Sequence, residues 1–230
     1  MVKSPGLKQS KFPTLAEVFT RLGDVPPHRV LSYPAPGTAW LGDLIDPGII
    51  SHRVVEHIDG ILVEKTSDNR KFQITLRVMS TMFAALTTEN TGMVLGPKCR
   101  LLLRPDLIRV PDVTYVRWDS VDDTDEIENP AEEWLTVIPH IVVEVLSENN
   151  TPREMQIKLG EYASAGVTLV WYVDPDAKTV TVYPKGRERG RKVLTEADTL
   201  DGGKVLPGFT LPVADLFAPR APKATKKRKK

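Results

Sequence analysis

Cysteine is almost absent from this chain: Cys99 is the only one in 230 residues. No intrachain disulfide can form and no cysteine cluster is available for a metal. Such usage fits a reducing cytoplasm. Histidine is scarce as well. His52 and His57 lie five positions apart, and His28 and His140 are far from them in sequence, so no zinc-ligand set arises. Long apolar runs are missing. Nothing approaches the roughly 20 residues of a membrane span, and the opening residues MVKSPGLKQSKFPTLAEVF hold no signal-peptide core. There is no glycine-rich phosphate loop and no nucleophile elbow to support a kinase or serine-hydrolase reading. No internal repeat is present. The expectation is a cytoplasmic protein with no membrane association.

What is present suits a packed globular chain. Hydrophobic residues make up 41% and charged residues 27%, as a normal packed core requires, and 230 residues are enough for one sizeable α/β domain or two small ones. The net charge of +1 is unevenly spread. The last eight residues, KATKKRKK, hold six of the 31 basic residues, which leaves 25 basic against 30 acidic elsewhere, a net of −5. A basic tail can add non-specific affinity for phosphate backbones, or be only a solvated terminus.

Residues 1–52 are rich in proline, which prevents long helices, and read as an extension wrapped over the rest. Within them TLAEVFTRLG (14–23) predicts a short helix, with Thr14 as N-cap, Glu17 at the capping-box position and Gly23 at the end. RVVEHIDGILVEK (53–65) predicts a hairpin turning at Asp59-Gly60. In residues 67–90, Phe72, Leu76, Met79, Phe83 and Leu86 recur at helical spacing and predict one buried stripe. Short strands follow at 92–96, 99–103 and 108–116, then an acidic excursion at 120–134. A central strand is expected at 140–147, a helix at 152–165, a strand pair at 168–175 and 179–184, and a last helical turn in 211–217. The order predicts one α/β domain over 53–217 with a mixed sheet, followed by a basic disordered tail, 218–230.

The stretch PHIVVEVLSENN (139–150) places Glu144 in a run that otherwise suits a core strand. A buried carboxylate is costly unless something pairs with it or binds it. Asp112 follows Pro111 in RVPDVTYV, and Lys158 lies in the helix after the Glu144 strand, in phase with Glu154 and Tyr162. If the strands at 110–116 and 140–147 are neighbours, Asp112 and Glu144 meet at one end of the sheet. Their mutual repulsion would be relieved by a divalent cation, which prefers oxygen ligands. Each residue also has an ordinary reading by itself. Asp112 suits a turn that caps a backbone group, and Glu144 a buried pair with an arginine. Lys158 suits a solvated helix lysine, Glu154 an i,i+4 partner of Lys158, and Tyr162 an aromatic packed on the sheet.

The spacing of these elements resembles the PD-(D/E)xK nuclease superfamily, in which a proline-aspartate strand, an acid on the next strand and a lysine form a metal-dependent phosphodiesterase site. The lysine usually sits two residues after the acid. That place is Leu146 here, and Lys158 would act from the following helix, as in several branches. EHIDGILVEK, VPDVTYV, PHIVVEVLSENN, KLGEYASAGVTLVWYVDP and VLPGFTLPVADLF are together similar to the Uma-two restriction endonuclease family, over roughly residues 50–217. The resemblance implies a restriction-endonuclease-like core, with a mixed central β-sheet flanked by helices. It implies a Mg²⁺- or Mn²⁺-dependent endonuclease acting on DNA, with Asp112, Glu144 and the Val145 carbonyl as ligands. Lys158 would stabilise charge on the phosphate and orient water, and Glu64 would be an extra ligand or base. Many nucleases of this fold dimerise, so the resemblance also allows a homodimer, with the apolar, β-rich late region as its face. The family often has a histidine at the start of the long helix. SDNRKFQ has none, and Asn69 or Gln73 would take that space. This departure and the net-acidic body keep open a catalytically inactive module that binds nucleic acid or protein.

Overall fold

Thr14 and Glu17 exchange hydrogen bonds at 3.3 Å, backbone N–H to side-chain oxygen in each direction, and start helix α1, Leu15–Leu22. Gly23, at φ 78°, ends it. The chain is described here from a computed structural model covering residue 12 and residues 14–87, 90–121 and 133–218. Most of the acidic excursion and of the basic tail lies outside the described residues. α1 buries Val18 and Leu22 against Ile58, Ile61, Val63 and Leu107. The hairpin strands are β1, Val55–Ile58, and β2, Ile61–Glu64. Asp59 and Gly60 both have positive φ, 51° and 84°, as a two-residue hairpin turn of this hand requires.

Two sheets carry the fold. The smaller one has the order β2-β1-β5-β4, with β4 at Leu101–Arg104 and β5 at Leu107–Arg109. The larger has the order β10-β9-β8-β7-β6-β3. Its members are β3 Gly92–Leu95, β6 Val113–Arg117, β7 Ile141–Val145, β8 Leu169–Asp174, β9 Thr179–Pro184 and β10 Lys192–Leu194. β7 and β8 run parallel and the other neighbours antiparallel, so the sheet is mixed. A short helix α2, Pro47–Ile50, precedes the hairpin. Helix α3, Asn69–Leu86, covers one face of the larger sheet together with β11 (Thr199–Asp201), β12 (Thr210–Pro212) and α5 (Val213–Phe217). Helix α4, Pro152–Ala165, is the crossover between β7 and β8 and covers the other face through Met155, Leu159 and Tyr162. Among the described residues no helix is long and apolar enough to cross a membrane.

Two expectations need correction. The strand expected over 108–116 is two strands in different sheets. Pro111 has no N–H to give to a ladder, so the chain leaves the small sheet at Arg109 and joins the large one at Val113. The buried stripe of α3 is also displaced. Its buried face is Lys71, Ile74, Thr75, Val78 and Met82, while Phe72, Leu76 and Phe83 are 46%, 42% and 48% exposed. Two apolar rows lie side by side on this helix. The row that faces the sheet also carries Lys71, whose ammonium has an acid to meet there.

The segment before β1 is anchored to α4 by an ion pair. Arg29 donates from Nη1 and Nη2 to both oxygens of Glu154 at 2.9 and 2.8 Å, and both side chains are buried. Glu154 therefore takes Arg29 as its ion-pair partner rather than Lys158. Gly23 packs so tightly on the start of α4 that an added Cβ would lie 2.5 Å from Glu154 N. Arg29→Ala leaves the Glu154 carboxylate buried without its counter-ion. Urea denaturation should show a loss of about 3–5 kcal/mol, and a loss under about 1 kcal/mol, the range of surface pairs, would contradict this.

Candidate active site

Glu144 is the fourth residue of a wholly buried β7 and points toward α4. Its Oε1 accepts from the Tyr162 hydroxyl at 2.7 Å and from Lys158 Nζ at 3.3 Å. Its Oε2 accepts from Lys65 Nζ at 2.9 Å. Lys158 and Tyr162 are one turn apart on α4, so both reach the same carboxylate. Asp112 sits where the chain passes from one sheet to the other. Its own N–H donates to Val143 O at 3.0 Å, and its Oδ2 accepts from Val145 N at 2.7 Å. Lys65 Nζ lies 3.1 Å from Asp112 Oδ1, and Lys71 Nζ lies 3.0 Å from Oδ2.

The pairing continues beyond these residues. Lys158 Nζ also donates to Glu56 Oε1 at 2.9 Å, and Arg109 Nη1 donates to Glu56 Oε2 at 2.8 Å. Arg109 Nη2 then meets Glu161 at 2.7 Å. Eight charges thus alternate in sign along one row: Glu161, Arg109, Glu56, Lys158, Glu144, Lys65, Asp112 and Lys71. Four acids balance four bases in a nearly dry setting.

The electrostatics follow from that order. Burial raises the Glu144 carboxyl, but Lys158, Lys65 and Lys71 outweigh it and hold the group well below the ordinary carboxylate range. Burial acts on Glu56 in the same way, and Lys158 and Arg109 win, bringing it from 4.5 to about 2. Burial would lower the Lys65 ammonium, yet Asp112 and Glu144 hold it above its usual value. At Lys71, burial and the neighbouring Lys65 outweigh Asp112 and push the group down. Burial and Glu144 hold the Tyr162 phenol well above its normal value, so it stays a donor.

The structure thus brings Asp112, Glu144, Lys158 and Tyr162 together, with the Val145 N–H turned to Asp112. It does not bring Glu64 or Gln73 to them. Glu64 precedes Lys65 on an extended stretch, so the two side chains take opposite sides. The Glu64 carboxylate lies 3.4 Å from Arg53 Nε and its side chain is 32% exposed. Gln73 and Asn69 are exposed, and the residue that α3 sends into the row is Lys71. Sequence reasoning missed Glu56, Lys65, Lys71, Arg109 and Glu161. Glu56 had the same signal as Glu144, an acid inside an apolar strand. Lys65 and Lys71 had none beyond strand and helix phase.

Among the described residues no group of three or more His, Cys, Asp or Glu could hold a metal ion. The carboxylate pair still suits one cation. Asp112 Oδ1, Glu144 Oε2 and the Val110 carbonyl converge on a single point, occupied by Lys65 Nζ at 3.1, 2.9 and 2.5 Å. The ammonium stands in for a cation there, and two carboxylates with a carbonyl are a donor set that a hard divalent ion accepts. The carbonyl at that point belongs to Val110 rather than Val145. Beside it, a cavity of about 300 Å³ takes in Val110, His52, Arg53, Lys98 and Arg100.

The family model named Uma2, described as "Putative restriction endonuclease", matches residues 51–214, and the chain belongs to that family. Restriction-endonuclease-like families generally use divalent metals. Among solved structures the chain is similar to the crystal structure of a "putative nuclease belonging to DUF820" from Anabaena variabilis. That match has 19% identity and a TM-score of 0.60, and covers 71% of this chain and 89% of the other. At that identity the likeness speaks to the fold, and the expected restriction-endonuclease-like α/β core is the one found. No curated protein matches the chain.

The Glu56 shift predicts an acid limb in stability. Its folded carboxyl titrates lower than the unfolded one, so its contribution is complete above pH 4.5 and lost as pH falls toward about 2. That contribution is on the order of 3 kcal/mol. Urea midpoints measured across this range should fall steeply for the parent chain and less steeply for Glu56→Gln. Identical acid limbs would show that Glu56 is not held charged.

Proposed function

We propose that this Uma2-family chain is an endonuclease that hydrolyses DNA phosphodiester bonds in the cytoplasm, with Mg²⁺ or Mn²⁺ held by Asp112 and Glu144. The observation that carries the reading is the meeting of Asp112 and Glu144, from separate parts of the chain, at one cation position, with Lys158 from α4 on the other oxygen of Glu144. The bound ion would supply Lewis acidity toward the scissile phosphate and favour deprotonation of a water.

The chain's own residues do the rest. Lys158 Nζ sits between Glu144 and Glu56, where it can face the negative charge that builds on phosphorus oxygens as water adds and the P–O bond to the sugar breaks. Tyr162 fixes Glu144 by its hydrogen bond, and Arg109 fixes Glu56. Two features favour a polyanionic substrate. One is the cavity with His52, Arg53, Lys98 and Arg100 beside Val110. The other is the exposed connection from β9 to β10, with Lys185, Arg187, Arg189 and Arg191 against the single acid Glu188, and Lys192 opening β10. It is seated on α4, where a Cβ at Gly186 would lie 2.9 Å from Ala163 N. Lysine and arginine along such a surface attract a phosphate backbone.

A second reading, a nuclease-fold module without turnover, is favoured by Lys65 in the cation position and by the complete pairing of the row. Plasmid nicking with added Mg²⁺ or Mn²⁺ separates the two. Under the endonuclease reading, Asp112→Asn and Glu144→Gln should each slow cleavage by about a hundredfold or more, and Lys158→Met by a similar factor. Cleavage that is equal in parent and variants would point to a contaminant. A parent that binds DNA without cutting it would establish the module.

A further inference from the structure

Lys65 lies just past the end of β2. Its N–H still donates to Val54 O at 2.8 Å, while residues 65–68, leading to α3, have no regular structure. Its side chain is 7% exposed and its ammonium touches oxygens from three places: Asp112, Glu144 and Val110. A divalent ion bound to the same oxygens would sit where the ammonium now sits. Both cannot be accommodated, because Mg²⁺ needs its oxygens at about 2.1 Å in an octahedral shell. The charges argue the same way. The row is balanced at four acids against four bases with Lys65 in it, and a divalent ion added beside Lys65 would leave two uncompensated positive charges in a buried region.

We propose that Lys65 is a tethered ammonium that occupies the cation position of the carboxylate pair and competes with the divalent ion for it. This rests on the reading of Asp112 and Glu144 as the metal-holding pair. An ammonium tied to the adjacent strand acts at a high effective concentration, on the order of millimolar or above. The divalent ion must displace it, so the parent chain binds metal weakly. Once displaced, Lys65 has the irregular stretch 65–68 to move with, where Ser67 and Asp68 are already exposed.

The test is Mn²⁺ binding by the full chain, read as the loss of the free-Mn²⁺ electron paramagnetic resonance signal, with DNA absent. Lys65→Met keeps the length and removes the charge. Lys65→Gln serves as a second variant should the first fail to fold, with circular dichroism and thermal melting checking both. The folded variant should bind Mn²⁺ at least about tenfold more tightly than the parent, and adding Asp112→Asn should abolish the gain. Equal or weaker binding in the variant overturns the proposal and leaves the metal-holding pair standing if the parent binds. Absence of binding in both proteins overturns the proposal together with that pair. A gain that survives Asp112→Asn also overturns it, because the new site would lie elsewhere.

Discussion

A carboxylate inside a strand that is buried on both faces must either be paired or give up its charge, and that requirement organises much of this protein. Glu144 meets it with Lys158, Lys65 and Tyr162. Those partners are buried too, so they need partners in turn. Lys158 is shared with Glu56, Glu56 with Arg109, and Lys65 with Asp112. The result ties β1, the end of β2, α3, the β5–β6 crossing, β7 and α4 into one electrostatic unit. Removing a single member leaves its neighbours as buried, unbalanced charges, which costs more than an absent surface pair would.

The backbone makes this row possible where the chain changes sheets. The chain leaves the small sheet at Arg109 and enters the large one at Val113, and Pro111 enforces the break. Val110, Pro111 and Asp112 therefore lie at the seam between the two sheets. Glu56 reaches the seam from the small sheet and Glu144 from the large one. Helix α4 is held over it by Arg29 and by the close contact at Gly23. The segment before the hairpin thus helps to place the helix that supplies Lys158 and Tyr162.

This geometry makes an active site and a balanced salt cluster look alike in a ligand-free chain. Both need acids and bases brought together out of water. The difference lies in whether one base can leave. Lys158 sits between two carboxylates on a regular helix, whereas Lys65 sits on a short irregular connection. Of these two lysines, Lys65 is therefore the one whose position is easier to change.

The local pattern of residues was enough to place most of the elements. The Thr14–Glu17 capping pair, the Asp59-Gly60 turn, the apolar run at 141–145 and Gly166 after α4 each act through the backbone within a few positions. The oddity of Glu144, and the phase shared by Lys158 and Tyr162, were legible for the same reason. Which side of an extended stretch faces the seam was not. Glu64 and Lys65 differ by one residue and so take opposite sides, and only the packing of β2 on its neighbours decides between them. Two apolar rows on α3 were equally helical in spacing, and the sheet chose the one bearing Lys71. Glu154 was in phase with Lys158, yet Arg29, 125 residues earlier, claimed it. Short-range pattern reports what the backbone can do within a turn or two. Pairing between buried charges is long-range, and it is decided by which side chains the folded sheets bring to the same dry place.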